Sequence, residues 1–444
     1  MEGSLEGDDV EVRSVSTDSR DVDAGALFVA LSGEHTDGHR FVDQAFTDGA
    51  VAAMIDGPGD AAGEGRPVVR VGSTAEALMR LAADERDPMT AIVVGITGAN
   101  GKTSTKDLAH AVAQIRFRVH ASPGSFNNEI GLPLTVLGAP PDTEVLVAEM
   151  GARRLGDVKL LSGIARPHIV VVTNVGVAHM GVFGSWASIV EASAEPIETL
   201  GPDGLAILNA DDPVVIGYRD RCPGRVMTFG TQVHADVRAE DVALGPDGRA
   251  SFRLVADGTE IQVTLAVPGE HMVSNALAAV AVGLELGIPL ADVGPALARA
   301  GVSRWRMETS TTTSGVRILN DAYNANPEST AAALRTARWM AGEGRLIAVL
   351  GEMAELGAIS EGEHDRVGEL AARIRVDRLL TVGTAARGIA RAAVREGMEP
   401  GDVASYDVPA EALEDVRRSA APGDLVLCKG SRVAGLETLA EALR

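Results

Sequence analysis

Residues 95–105 have the composition of a phosphate-binding turn. They read Gly-Ile-Thr-Gly-Ala-Asn-Gly-Lys-Thr-Ser-Thr, and they lie between the apolar run 91–94 and apolar residues at helical spacing. Glycines let backbone N–H groups approach an anion, and the N-terminus of a helix adds the positive end of its dipole. In this interpretation Lys102 reaches the β- and γ-phosphates of a nucleotide, while the Thr103 hydroxyl binds Mg²⁺.

The predicted nucleotide-binding residues of this turn are Gly98, Ala99, Asn100, Gly101, Lys102, Thr103 and Ser104. The spacing departs from the strict G-x-x-x-x-G-K-[ST] pattern, because Ile96 stands where the first glycine would be. A glycine-rich turn without a ligand is the alternative interpretation. The order of strand, turn, Gly-Lys-Thr and helix favours phosphate binding, because it is the order that this chemistry requires.

Three further apolar runs of the same region are followed by polar side chains. Glu149 ends the first run, Asn174 and His179 follow the second, and Asp211 and Asp212 follow the third. Runs of this kind that alternate with helical patterns are typical of a parallel sheet, in which ligands bind beyond the carboxyl ends of the strands. Glu149 is therefore a candidate Mg²⁺ ligand. The alternative is that Glu149 only caps the next helix.

Near the C-terminus a second series of apolar runs indicates another α/β sheet. The predicted strands are 316–319, 346–350, 379–382 and 425–428. The polar groups that follow them are Asp321, Asn324, Asn326, the segment 351–357 and the segment 429–432, which ends in Arg432. Because parallel strands end at one edge of their sheet, these groups predict a binding face.

The remaining patterns predict three domains with boundaries at 1–86, 87–302 and 303–444. Short strands and polar turns suggest a small N-terminal α/β domain, and turns at 246–248 and 257–258 suggest an antiparallel insert in the central domain. Within the N-terminal domain the polar residues of interest are Ser19, Arg20, Asp37, Gly38 and His39. Without other information, the interpretation of these residues as ordinary turn and cap residues is favoured over a functional one.

The composition excludes several classes of protein. The chain has 444 residues and a net charge of −22, which opposes nonspecific binding to nucleic acid or to an anionic membrane. Its two cysteines are far apart and lack C-x-x-C spacing, so we expect neither a disulfide scaffold nor a zinc site, and we expect a reducing cytosol. The acidic start at Met1 is unlike a signal peptide, and no apolar stretch is long enough to span a bilayer.

The ordered motifs together resemble the Mur ligase family over nearly the whole chain. The motifs shared with the family are residues 98–103, Glu149-Met-Gly, Thr173-Asn174 with His179, His271-x-x-x-Asn275, Arg306 before Glu308, and Asp321 with Asn324. Motifs that resemble one branch of the family are 103–106, 125–133, 323–327, 351–357 and 429–432.

The resemblance implies an ATP- and Mg²⁺-dependent amide ligase of peptidoglycan precursor synthesis. ATP would convert the carboxylate of a UDP-N-acetylmuramoyl tripeptide to an acyl phosphate, which the amine of D-alanyl-D-alanine would attack. The implied fold is a small N-terminal α/β domain, a central P-loop ATPase domain and a C-terminal Rossmann-like α/β domain. A cytoplasmic monomer is expected. The alternatives are a paralogue that joins a different dipeptide, depsipeptide or amine, and a nucleotide-binding protein without turnover.

By the same resemblance Lys102, Glu149 and His179 would be catalytic, with Thr103, Glu149 and His179 around Mg²⁺. Asn275 would face adenine, and Arg306, Asp321 and Asn324 would surround the ribose and phosphates. The implied substrate-binding residues are Ser19, Arg20, Asp37, Gly38 and His39 for the uridine diphosphate, and Asn127, Asn128, Asn174, Asn326 and Arg432 for the peptides.

Ser193 departs from the family pattern. The resemblance implies that a carbamylated lysine normally stands there and carries a carboxylate to a second Mg²⁺. A serine hydroxyl is neutral and short, so it cannot reproduce that ligand. Glu195 or water is the alternative ligand, and weakened catalysis is the other outcome. We expect a high Mg²⁺ requirement.

Overall fold

The structure is a computed structural model that describes residues 3–33, 36–57 and 65–444. In these ranges the strands form three sheets, of five, nine and six strands, which follow one another along the chain. The predicted three-part α/β architecture is confirmed. The boundaries at 1–86, 87–302 and 303–444 stay a prediction, and residues 1–2, 34–35 and 58–64 of the first domain lie outside the described residues.

The N-terminal sheet has the order β1-β5-β4-β3-β2, in which only the edge strand β1 is antiparallel. Its elements are β1 Gly3–Glu6, β2 Ser14–Ser16, β3 Ala26–Val29, β4 Ala52–Asp56, β5 Val68–Val71, α1 Val42–Asp48 and α2 Thr74–Arg86. Strand β3 is buried along its whole length because the sheet is covered on both faces. The carboxyl ends of β2, β3 and β4 therefore share one edge.

The central sheet has the order β14-β13-β12-β11-β10-β9-β6-β8-β7. Its strands are β6 Ile92–Thr97, β7 Val119–Ala121, β8 Val145–Glu149, β9 Ile169–Val172, β10 Leu205–Asn209, β11 Arg225–Gly230, β12 Val237–Leu244, β13 Arg249–Ala256 and β14 Thr259–Pro268. Strands β6 to β11 are parallel. Because β6 lies between β8 and β9, the polar residues that follow these three strands come close together.

The predicted antiparallel insert is a continuation of this sheet rather than a separate unit. Its hairpin turns at 246–248 and 257–258 join β12, β13 and β14 as predicted. Residues 225–230 were expected in the same antiparallel set, but β11 pairs in parallel with both β10 and β12. The Asp236 carboxylate accepts hydrogen bonds from Thr228 N (2.8 Å) and Thr228 Oγ1 (2.7 Å), which bonds the loop after β11 back onto that strand.

Eight helices of the described chain belong to the central domain: α3 Lys102–Ala113, α4 Gly131–Leu137, α5 Asp157–Ala165, α6 Met180–Phe183, α7 Trp186–Glu198, α8 Pro213–Ile216, α9 Met272–Glu285 and α10 Leu290–Leu297. Helices α3 and α9 pack closely because Gly283 lies against Val112, where a Cβ would come within 2.5 Å of Val112 Cγ1. This packing fixes the helix that begins at the phosphate-binding turn.

The C-terminal sheet has the order β15-β16-β20-β17-β18-β19, with only β15 antiparallel. Its elements are β15 Glu308–Thr311, β16 Arg317–Asn320, β17 Leu346–Gly351, β18 Arg378–Val382, β19 Val403–Tyr406, β20 Leu425–Lys429, α11 Pro327–Ala341, α12 Ser360–Arg373, α13 Arg387–Arg395, α14 Pro409–Ser419 and α15 Leu436–Ala442. Among the described residues, none of the helices has the length and apolar character needed to cross a membrane.

Candidate active site

The phosphate-binding turn joins β6 to α3, and two glycines are required for its shape. Gly98 has φ +135° and Gly101 has φ +81°, both in the left-handed half of backbone space. A Cβ on Gly98 would lie 2.1 Å from Thr173 Oγ1, and a Cβ on Gly101 would lie 2.2 Å from Asn275 Oδ1. The turn is thus packed against the residues that follow β9 and against the start of α9.

Lys102 is the first residue of α3, and its ammonium group is directed back over the turn. Its Nζ donates to the Gly98 carbonyl (2.6 Å) and, at 3.4 Å, to the Ala99 carbonyl. Burial lowers the pKa of Lys102, the Glu149 carboxylate opposes that lowering, and the Arg306 guanidinium adds to it. A phosphate in the turn would supply the counter-charge that this ammonium lacks.

Thr103 and Glu149 meet in a buried cluster at the carboxyl ends of β6 and β8. The Thr103 hydroxyl donates to Glu149 Oε2 (2.7 Å), and Asn127 Nδ2 donates to Glu149 Oε1 (2.7 Å). Thr103 and Glu149 are each only 1% exposed. Glu149 therefore does not serve as a helix cap, because its carboxylate bonds side chains of the turn and of the loop before α4, and α5 begins only at Asp157.

Oxygen donors of this kind fit Mg²⁺, which prefers carboxylate and hydroxyl oxygens and keeps several waters or phosphate oxygens. Arg306 Nη2 donates to Thr103 Oγ1 (2.8 Å) and Ser125 Oγ (2.8 Å), so a cationic group already adjoins these oxygens. In the described ranges no three His, Cys, Asp or Glu side chains cluster as a metal site. A Mg²⁺ held by Thr103 and Glu149 would complete its coordination with phosphate and water.

A network of amides joins the turn to β9 and to the C-terminal domain. Asn174 Oδ1 accepts from Asn100 N (2.8 Å), while Asn174 Nδ2 donates to the Asn100 carbonyl (3.0 Å). Asn326 Nδ2 donates to Asn100 Oδ1 (2.7 Å), and Asn326 Oδ1 caps α11 by accepting from Ser329 N (2.9 Å). Asn100 and Asn326 are 226 residues apart in sequence.

The hydrogen-bond partner of His179 is neither Thr103 nor Glu149 but a residue of the C-terminal domain. Its Nδ1 contacts Glu355 Oε2 of the C-terminal domain, and Glu355 Oε1 also accepts from Arg153 Nη2 (2.6 Å). Burial lowers the pKa of His179, and the hydrogen bond to Glu355 opposes that lowering. Within the described part of the chain, His179 makes no hydrogen bond to either of the other predicted metal ligands.

Arg306, Asp321 and Asn324, which are predicted around the ribose and phosphates, have different partners in the structure. The Arg306 guanidinium stacks on the Tyr323 ring at 4.1 Å. Asp321 forms an ion pair with Lys429 (2.6 Å), which is 2% exposed on its side chain. The Asn324 carbonyl accepts from Lys429 Nζ at 2.9 Å. Lys429 thus holds the loop that carries Asp321 and Asn324.

The remaining residues predicted around the substrates have structural partners. Asn275 is 5% exposed and lies under Gly101, where its Oδ1 accepts from Thr105 Oγ1 (3.3 Å). Asn128 Oδ1 accepts from Gly131 N (2.8 Å) at the start of α4. Arg432 pairs with Glu437 (2.9 Å) and stacks on Trp305 at 4.5 Å. The Arg432 side chain is 56% exposed, so part of it remains accessible.

The N-terminal candidates lie along the carboxyl edge of β2, β3 and β4. Arg20 forms a two-pronged ion pair with Asp18 (2.9 and 2.6 Å), which lowers the pKa of Asp18 to about 2. Asp37 accepts from His39 N (3.0 Å) at the start of a short 3-10 helix. Gly38 approaches the backbone of Leu31, which a Cβ would contact at 2.7 Å. Ser19 follows β2 beside Arg20.

Ser193 and Glu195, which both lie in α7, have hydrogen-bond partners in different helices. Ser193 Oγ donates to the Ile189 carbonyl (2.8 Å). Glu195 accepts from Gly156 N (2.6 Å) and Lys159 N (3.0 Å) at the start of α5 and is 7% exposed. Because both carboxylate oxygens bond this helix terminus, we expect Glu195 to stabilise the start of α5 rather than to bind a metal.

Several residues of the site were not predicted as site residues. Ser125 contacts both Thr103 and Arg306, Lys429 holds Asp321, and Glu355 with Arg153 links two domains. Ser125, Lys429 and Glu355 lie in segments that the motif comparison had marked. No motif indicated Arg153. The pair Asp211 and Asp212 instead stabilises turns, since Asp211 accepts from Thr231 N and Asp212 caps α8.

Comparison with known proteins agrees with this arrangement. Residues 11–86 match the Mur ligase family catalytic domain, residues 96–283 the Mur ligase middle domain, and residues 305–432 the Mur ligase glutamate ligase domain. The UDP-N-acetylmuramoyl-tripeptide–D-alanyl-D-alanine ligase of Bacillus subtilis (strain 168) is 38% identical over 432 residues, which cover 97% of this chain and 93% of that enzyme. The enzyme of the same name from Escherichia coli (strain K12) is 33% identical, and the match covers 100% of this chain and 96% of that enzyme.

Solved structures are similar over the same length. MurF from Acinetobacter baumannii has a TM-score of 0.87 at 31% identity and covers 99% of this chain and 96% of its own. The MurF ligase from Thermotoga maritima in complex with ADP has a TM-score of 0.83 at 28% identity and covers 98% of both chains. With three matching domains and this identity spread over almost its whole length, the chain belongs to the Mur ligase family.

Proposed function

We propose that this protein is the ATP-dependent ligase that joins D-alanyl-D-alanine to a UDP-N-acetylmuramoyl tripeptide in peptidoglycan precursor synthesis. ATP phosphorylates the tripeptide carboxylate, the dipeptide amine attacks the acyl phosphate, and the amide forms with release of ADP and phosphate. The observation that carries this proposal is the buried Thr103–Glu149 pair beside Lys102, at the turn where α3 begins.

In this reaction the chain supplies position and charge rather than covalent chemistry. Backbone N–H groups of residues 98–104 and the dipole of α3 hold the phosphates. When the nucleotide binds, the Lys102 ammonium leaves the Gly98 and Ala99 carbonyls and donates to the transferred phosphoryl group instead. Arg306 contacts Thr103, so its guanidinium lies near enough to stabilise the negative charge of the phosphoryl group.

Thr103 and Glu149 would hold Mg²⁺, which when bound neutralises phosphate charge and orients the phosphoryl group. Asn127 fixes the Glu149 carboxylate for this task. His179 would lie near the substrate carboxylate. Asn275 supports the turn from beneath and would border the adenine pocket, while Asp321 and Asn324 would border the ribose.

The N-terminal residues Ser19, Arg20, Asp37, Gly38 and His39 would bind the uridine diphosphate. Asn127, Asn128 and Asn174, with Asn326 and Arg432 of the C-terminal domain, would bind the peptide parts. We place the reaction in the cytoplasm, in line with two free cysteines in the described residues, and we propose a monomer, which light scattering would test.

The test is phosphate release from ATP with the tripeptide nucleotide, with and without D-alanyl-D-alanine. We expect release only when both are present, with one amide product per phosphate by mass spectrometry. Release with a depsipeptide or another amine, but not with D-alanyl-D-alanine, would assign the chain to a paralogue. ATP binding without release under any of these conditions would leave only nucleotide binding.

A further inference from the structure

One carboxylate of the C-terminal domain contacts two side chains of the central domain beside the phosphate-binding turn. Glu355 Oε1 accepts from Arg153 Nη2 at 2.6 Å, and Glu355 Oε2 contacts His179 Nδ1. Arg153 is 202 and His179 is 176 residues away in sequence. Both contacts therefore depend on how the two domains lie against each other.

The backbone around Glu355 fits closely onto the backbone around His179. Gly181 N donates to the Glu355 carbonyl at 2.8 Å. A Cβ on Gly181 would lie 2.7 Å from Gly357 N, so only glycine permits this approach. Glu355 and His179 both have left-handed backbone conformations, with φ +62° and +60°. Such conformations are uncommon for side-chain-bearing residues and concentrate at functional sites.

The segment that carries Glu355 is fixed within its own domain. The ring of His364, which is 1% exposed, accepts from Met353 N (3.0 Å) through Nε2 and contacts the Ser360 carbonyl (2.7 Å) through Nδ1. The Glu352 carbonyl accepts from Ser431 Oγ at 2.7 Å. Glu355 is thus presented from a rigid loop, and its position follows the position of the C-terminal domain.

We propose that Glu355 is a positioning residue, which orients the His179 imidazole only when the C-terminal domain lies against the central domain. A carboxylate on Nδ1 keeps the proton there and leaves the lone pair of Nε2 available, the arrangement usual for functional histidines. Among the described residues Nε2 of His179 makes no hydrogen bond. The inference rests on the proposed function, in which His179 faces the reacting carboxylate.

A double-mutant cycle on phosphate release tests this coupling. Glu355→Ala should lower kcat about 10- to 100-fold with little change in the KM for ATP. The double variant with His179→Ala should be no slower than His179→Ala alone, because the two residues act as one unit. Glu355→Gln, which keeps an acceptor for Nδ1–H, should recover most of the rate. If the kcat losses of the two single variants multiply in the double variant, the proposal is overturned.

The tautomer of His179 gives a second measurement that needs no turnover. Long-range ¹H–¹⁵N spectra of histidine-labelled protein with a nonhydrolysable ATP analogue should show a proton on Nδ1 of His179, and Glu355→Ala should produce a mixture of tautomers. Glu361→Ala is the matched control, because Glu361 is an exposed carboxylate of the same domain with no bonded partner in the described chain. An unchanged His179 signal in Glu355→Ala would overturn the proposal, whereas absent phosphate release in wild type would overturn only the proposed function.

Discussion

The central and C-terminal domains both present polar groups at the edge of a parallel sheet, but their groups find partners in different places. Thr103 and Asn127 both donate hydrogen bonds to Glu149 inside the central domain. Asn326 and Glu355 of the C-terminal domain instead bond Asn100 and His179 across the domain interface. The half of the site that is predicted to bind phosphate is therefore preorganised, and the other half is complete only when the domains meet.

The largest expected effect is on the preorganised half. Lys102→Ala should lower kcat about 100- to 1,000-fold, because a charge aimed at the transferred phosphoryl group is lost. The melting temperature should change little, since the variant loses the bond to Gly98 but also removes an ammonium that burial destabilises. Phosphate-release kinetics and thermal unfolding measure the two quantities.

Lys159→Ala is the control for this prediction, because it removes an exposed lysine of the same domain. Its kcat should equal that of wild type. Ligation by Lys102→Ala at the wild-type rate would exclude Lys102 from the reaction.

Gly101→Ala tests whether the turn is rigid before any ligand binds. Its Cβ would meet Asn275 Oδ1 at 2.2 Å in a left-handed conformation, so we expect a loss of about 1–3 kcal/mol in the free energy of unfolding and weak ATP binding. Gly163→Ala is the control, because Gly163 is in the interior of α5 and a Cβ built on it would have no neighbouring atom within 4 Å. That change should stabilise the protein by about 0.5–1 kcal/mol. Equal chemical-denaturation curves for the two variants would contradict a rigid turn.

Ser193→Lys should have a smaller effect, on the metal requirement. The new side chain could be carbamylated, so we expect a lower Mg²⁺ concentration at half-maximal rate, and stimulation by bicarbonate in this variant alone. Glu195→Gln should leave the Mg²⁺ requirement unchanged and lower the melting temperature, because Glu195 caps the start of α5. If Glu195→Gln keeps the wild-type melting temperature but loses most of its activity, Glu195 is a metal ligand after all.

The smallest signal is expected from domain closure itself. X-ray scattering of the free protein and of the protein with a nonhydrolysable ATP analogue and both substrates should give a smaller radius of gyration in the second case. The reason is that ligands between the domains favour the state in which Glu355 reaches His179. Equal radii would mean that the two halves are already joined without ligands.

The sequence predicted the strand, the glycine-rich turn and the helix that follows it, because their determinants are local, and phosphate binding at this turn stays a prediction. Gly98, Gly101, Lys102 and Thr103 lie within six residues, and their conformations follow from glycine and from the start of a helix. Glu149 was predicted with a helix cap as the alternative, and its bonds to Thr103 and Asn127 exclude the cap. The hairpins after β11 were also predicted, since turn residues specify them.

The partners of the carboxylates could not be predicted in this way. Glu195 lies two residues from Ser193 in sequence, yet it bonds the start of another helix. Arg153 had no motif around it, although it forms an ion pair across the domain interface. A carboxylate binds whatever donor the packing brings near it, and that choice depends on contacts far apart in the chain.

The sequence by itself determined which residues are predicted to bind phosphate and a cation, the alternation of strands and helices, and the three-part α/β architecture, because these follow from composition and short-range spacing. Only the tertiary structure decided that β6 lies between β8 and β9, which brings Glu149 to Thr103. Only the tertiary structure joined Glu355 to His179, because strand order and domain contact are set by burial of apolar surface over the whole chain.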